Sequence, residues 1–137
     1  MPPRVDDRSI ADDEILWRRI IPEWLCREAD GTIRPGKVAF IDRLSGEVSV
    51  HIASILGDPN LALRGRPADS LAAIKAGHPR SLGLAVVRDP KPDDPSHALL
   101  CPSPTPGKAR QIAKQAVWVV LRNPPSPSAA GGCSASP

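Results

Sequence analysis

His51 and His97 are the side chains here best suited to moving protons near neutral pH, because only imidazole ordinarily titrates between pH 5 and 8. His51 sits in Val48-Ser49-Val50-His51-Ile52, whose strict alternation predicts a strand with the apolar residues on one face and Ser49 and His51 on the other. His97 opens a second β-rich run, His97-Ala98-Leu99-Leu100-Cys101-Pro102, with His97, Leu99 and Cys101 on a common face. The preceding loop, 89–96, holds three aspartates and three prolines, and Asp93 or Asp94 is placed to orient His97 as a base. A loop aspartate more often bonds its own backbone. His97 and Cys101 lie about 13 Å apart along a strand, too far to share one tetrahedral metal. Neither a metal site nor a cofactor is expected.

Arg18 and Arg19 are the next candidates, since adjacent arginines suit a carboxylate or phosphate. Their run, Ile15–Ile21, could be a helix capped at Ser9 and Asp12, with Ile10, Trp17, Ile20, Ile21 and Trp24 on one face. Its β-branched content, shortness and the stop at Pro22 favour a strand, with Trp17 and Arg19 on one face and Arg18 and Ile20 on the other. The bland reading makes one arginine a surface ion pair and lets the other lie along the sheet. The loop Arg64-Gly65-Arg66-Pro67 can offer backbone N–H groups to phosphate, but neither GxxxxGK[ST] nor GxGxxG occurs. Leu16-Trp17-Arg18-Arg19-Ile20, followed by a Gly- and Ser-rich strand pair, resembles the opening of RES-type and other ADP-ribosyl-transfer folds. That resemblance implies an early strand carrying a substrate-binding arginine. The chain has no Tyr and no Glu after Glu47, so the later signatures of those folds have no counterpart.

The elements that position these residues start with a β-hairpin predicted over Lys37–Leu56. A three-residue loop closed by Arg43 and Glu47 puts Gly46 at the left-handed position. Phe40 then faces Val50, Val38 faces Ile52, and Ala39 faces His51. Glu23–Arg27 reads as a short strand. Ala68–Ala76 reads as a helix, with Pro67 in its first turn and Gly77 and Pro79 as its stop. Ser81–Arg88 reads as a strand. Thr105 and Pro106 open a final helix to Leu121, where Ala109, Ile112, Ala113, Ala116 and Val120 form an apolar stripe. Trp118 is then on the opposite side with Lys114 and Arg122, an arrangement that can stack on a base or anchor a protein. The alternatives are a terminal strand over residues 116–121, or a Trp118 covered by the tail.

These elements make an α+β domain, an antiparallel sheet of five to six strands packed against two helices, Ala68–Ala76 and Pro106–Leu121. Residues 1–14 are a polar acidic segment, residues 15–122 the domain, and residues 123–137, rich in Pro and Ser, a disordered tail. Residues 1–30 carry eight acids and five bases, and residues 31–137 seven acids and thirteen bases, so the body is basic and suits a polyanion. Three widely spaced cysteines without CxxC, no secretory signal and no long apolar run point to the cytoplasm and away from a membrane. The leading expectation is an accessory protein of the bacterial type that binds a protein partner through Trp118, Lys114, Arg122, Arg64 and Arg66. The second is a small enzyme on a phosphate-bearing substrate (a nucleotide, RNA or ADP-ribosyl donor), with Arg18 or Arg19 on the anion and His51 and His97 sharing acid–base work. It requires the two imidazoles to lie within about 10 Å. The third is non-catalytic nucleic-acid binding.

Overall fold

The computed structural model describes residues 4–122, so the tail expected over 123–137 lies outside the described residues. The strands are β1 (Ile15–Ile20), β2 (Leu25–Arg27), β3 (Ile33–Pro35), β4 (Val48–Ile52), β5 (Ser70–Lys75), β6 (Ala85–Arg88), β7 (His97–Cys101) and β8 (Val117–Val120). The helices are α1 (Ala53–Leu56), α2 (Pro59–Leu63), α3 (Gly77–Ser81) and α4 (Pro106–Gln115). The fold is α+β. Six strands form one antiparallel sheet in the order β6-β7-β4-β1-β5-β8, and β2 and β3 form a separate small hairpin.

The β-branched run at Ile15 forms β1, a central strand. Its even-numbered residues face α4 and its odd-numbered ones the opposite layer. On the α4 side, Leu16, Ile20, Val48, Val50, Ile52 and Leu100 meet Ala109, Ile112 and Ala113 of the helix and the fully buried Phe40. Burying one such side chain stabilises the fold by about 1.5–3 kcal/mol. Helix α4 starts as its sequence predicts, with Thr105 Oγ1 accepting from the Lys108 N–H and Pro106 in the first turn. On the other side, Ala62 and Leu63 of α2 cover Trp17, Leu71 and Ala73. Those helices shield the β1–β5 half of that face. The β4–β7 half carries His51 and His97 and is met by loop 89–96, through Asp94 and Ser96.

Four expected elements differ. The hairpin over Lys37–Leu56 does not form, because Lys37–Phe40 is a 3-10 helix. Val38 is half exposed and Phe40 fills the core, so neither pairs with β4. Strand β4 is internal: β1 and β7 already occupy its two edges, leaving no ladder for a segment at 37–43. The turn itself survives. Gly46 is left-handed at φ +75°, its N–H donates to the Asp42 carbonyl at 2.9 Å, and the Asp42 carboxylate accepts from the N–H groups of Leu44 and Ser45.

Ala68–Ala76 is not helical. Its centre is β5, buried on both faces between β1 and β8. Alanine's helix preference amounts to tenths of a kcal/mol per residue, which two buried faces easily exceed. The last helix stops at Gln115, and Val117–Val120 is the edge strand β8 rather than its final turns. The β-branched valines fit a sheet better than a helix. The segment Ser81–Arg88 is divided: α3 ends at Ser81, and β6 begins at Ala85.

Candidate functional site

Antiparallel register places Trp17, His51 and His97 side by side on one sheet face, because Trp17 pairs with His51 and His51 with His97. The two imidazoles meet edge to face, with centroids 6.2 Å apart and planes at 80°. His51 Nδ1 lies 3.0 Å from Asp94 Oδ2 and 3.3 Å from Ser96 Oγ. His97 Nδ1 lies 3.1 Å from both the carboxylate and the carbonyl oxygen of Asp89. Neither Nε2 has a hydrogen-bond partner among the described residues.

Loop 89–96 builds this site. Its ends continue the β6–β7 ladder, with the Asp89 N–H donating to the His97 carbonyl at 2.9 Å. A tight turn closes it through two bonds between the backbones of Lys91 and Asp94. That turn aims the Asp94 carboxylate inward, where it is 3% exposed. The Ser96 N–H and hydroxyl donate to Asp94 Oδ1 at 3.1 and 2.5 Å, and Arg64 Nη2 approaches Oδ2 at 3.4 Å. Arg64 reaches there from a left-handed residue that ends α2.

Burial disfavours the Asp94 carboxylate, but the Ser96 hydrogen bonds and the charges of His51 and Arg64 outweigh it and hold its carboxyl below the ordinary range. Asp94 is therefore an ionised, acceptor-only partner, and His51 Nδ1 must carry the hydrogen it shares. Burial also lowers the His51 pKa. Asp94 pulls it back up, and charges on His97 and Arg64 push it down. His51 is thus a neutral imidazole whose Nε2 lone pair is its basic site. His97 Nδ1 faces two acceptors and carries hydrogen as well. Lys91 binds Asp89 at 3.0 Å and, with burial opposing, holds that carboxyl low.

The other candidates separate from this pair. Arg18 points to the α4 side, not to the imidazoles. Its Nε donates to the Ala39 carbonyl and its Nη1 to the Ser49 carbonyl, both at 2.9 Å, and it lies over the Trp24 ring at 5.2 Å. Burial pushes its pKa down to about 10. Arg19 shares the histidine face but pairs with buried Asp69 at 3.1 Å. Arg66 is exposed, and its carbonyl accepts from Arg122 Nη1. The Arg122 N–H is fixed to Ser70 Oγ at 2.8 Å. Trp118 is not the exposed helical residue expected. It lies on β8, packs on the main core, and its Nε1 donates to the Ile33 carbonyl at 2.9 Å. Lys114 stays on α4, exposed, and Trp118 is not on that helix.

The expected aspartate pairing is reassigned: Asp94 serves His51, Asp89 serves His97, and Asp93 is exposed. The only sequence signal for these roles was the Asp- and Pro-rich loop itself. Cys101, on the same face, is no nucleophile, because burial and the Glu47 carboxylate push its thiol up to about 12. Among the described residues no cluster of His, Cys, Asp or Glu is arranged to hold a metal ion, and no helix is long and apolar enough to cross a membrane. Compared with known protein families, curated proteins and solved structures, the chain matches none of them.

Proposed function

We propose that this protein is a small acid–base enzyme acting on a phosphate-bearing substrate, with His51 and His97 sharing the proton transfers. The observation that carries the proposal is the pair of imidazoles at 6.2 Å, each with its Nδ1 turned to its own aspartate. His51 Nε2 takes the proton of an attacking hydroxyl, and Asp94 balances the imidazolium that forms. His97, its Nδ1 held by Asp89, gives a proton from Nε2 to the leaving oxygen. A charge on His97 makes one on His51 less favourable, which separates base from acid. Arg64, half exposed and 3.4 Å from the Asp94 carboxylate that holds His51, takes the anion-contact role first assigned to Arg18 or Arg19.

The test is turnover of activated phosphodiesters and short RNA by purified protein across pH 5–9. A bell-shaped profile, with His51→Ala and His97→Ala each losing about 10²–10⁴-fold, supports the proposal. Turnover untouched by both substitutions, or none on any phosphate ester, removes it.

The interaction reading keeps one observation of its own. Among the described residues, edge strand β8 has an unpaired side and exposes Val117, Val119 and Leu121 beside it. Under that reading a partner protein lies along β8, and Val119→Lys abolishes its capture while leaving the fold intact. Undiminished capture by that variant counts against it.

A further inference from the structure

Away from the histidines, between β3 and α4, lies a cavity of about 280 Å³ lined by Glu28, Arg34, Pro35, Lys37, Arg110, Ala113 and Lys114. Four of these side chains are cationic and one is acidic. Arg34 is partly committed: its Nη1 donates to the Lys114 carbonyl at 3.3 Å, and its Nε stands 3.9 Å from Glu28. Lys37, Arg110 and Lys114 form no ion pair among the described residues. Arg110 and Lys114 stand four apart on α4, and like charges at that spacing repel. Arg110 Nε is also buried without a hydrogen-bond partner among the described residues. A buried guanidinium N–H left unsatisfied is costly, and such a group in a native fold calls for a water or an ion beside it.

We infer that this cavity binds the phosphoryl group of a small phosphorylated molecule. An oxyanion there relieves the repulsion between Arg110 and Lys114 and draws on the outer N–H groups of Arg110, on Lys37 and on the free donors of Arg34. The cavity is slightly smaller than the ~300 Å³ at which pockets for drug-sized ligands begin, so it suits a compact monoester and not a polymer. Pro35 and Ala113 supply the apolar wall for the ester's carbon atoms. The site lies on the α4 side of the sheet, and its ligand is independent of any turnover at the histidines.

The test measures binding of glycerol phosphate and of inorganic phosphate by phosphorus NMR and by thermal shift, against sodium chloride of equal ionic strength. The proposal expects both to bind, with the ester at least as tight as the free anion. It expects Arg110→Gln to weaken binding tenfold or more and Lys37→Gln to weaken it severalfold. Lys37→Gln keeps the test decisive should Arg110→Gln fail to fold. An equal effect from chloride, full binding in both pocket variants, or binding of free phosphate without the ester would each overturn the proposal.

Discussion

His51 and His97 face one another across neighbouring strands, yet each Nδ1 is turned to a different aspartate of the single loop that joins β6 to β7. Asp94 comes from the turn of that loop and Asp89 from its base. One connection therefore sets the ring orientation of both candidates, while the sheet sets their separation.

Asp94→Asn tests the orienting role. An amide cannot balance an imidazolium on His51, and it can turn a donor toward Nδ1, favouring the wrong tautomer. We expect turnover to fall about 10²–10⁴-fold, the range for losing an aspartate behind a catalytic histidine. Substrate affinity should change far less. Steady-state kinetics separates the two, and a loss confined to KM would remove the role.

Stability should fall on mild acidification. His51 is less basic in the folded chain than its ordinary 6.5, because burial opposes its charge. Between the folded value and about 6.5 the unfolded chain binds more protons, so stability is full above that window and declines as pH drops through it. The carboxyls of Asp6, Asp42 and Asp94 are held low, so their contribution is lost only further down, below the ordinary 3.8. Urea unfolding at pH 7.5, 6.5 and 5.5 should show the first decline in the parent protein and a flatter response in His51→Gln. Equal slopes would mean that His51 does not titrate in this range.

For β1, β4 and β7, which residues share a face was legible in the chain; which strands lie side by side was not. Alternation alone sends His51 outward and Val48, Val50 and Ile52 inward, and it does so although the expected partner strand is a 3-10 helix. The pairings of β4 with β1 and β7 join distant segments, and no local pattern encodes them. The run at Ala68 misleads because a strand buried on both faces has no polar alternation, so its alanines read as helical. Pairing Asp94 with His51 rather than His97 depends on how a proline-rich loop folds back, which spacing does not report.

Arg18 belongs to the architecture. Arg18→Met should leave the carbonyls of Ala39 and Ser49 without their donor, remove the contact over Trp24, and cost about 1–3 kcal/mol. Turnover at the histidines should persist in whatever fraction stays folded. Selective loss of substrate binding, with unfolding free energy unchanged, would restore Arg18 as an anion ligand.

The acidic N-terminal segment closes the outer edge of the sheet at β6. Asp6 Oδ1 accepts the Val86 N–H, the Asp7 N–H donates to the Val86 carbonyl, and Arg80 holds Asp6, Asp12 and the Asp7 carbonyl at 2.8–2.9 Å. Arg80→Ala should cost about 3 kcal/mol, the low end for a broken buried ion pair because Asp12 faces water. The Val86 amide should also lose its protection from hydrogen exchange. Protection at the parent level would show that the segment holds without its arginine.

The most direct measurement is nitrogen NMR of the imidazoles across pH 4–9, which reads the tautomer and titration of His51. We expect a neutral ring carrying its hydrogen on Nδ1, titrating below the ordinary histidine value. In Asp94→Asn the preference for that tautomer should weaken. A His51 that carries its hydrogen on Nε2, or one that stays charged through pH 7, would contradict the account, because no base would then face the substrate.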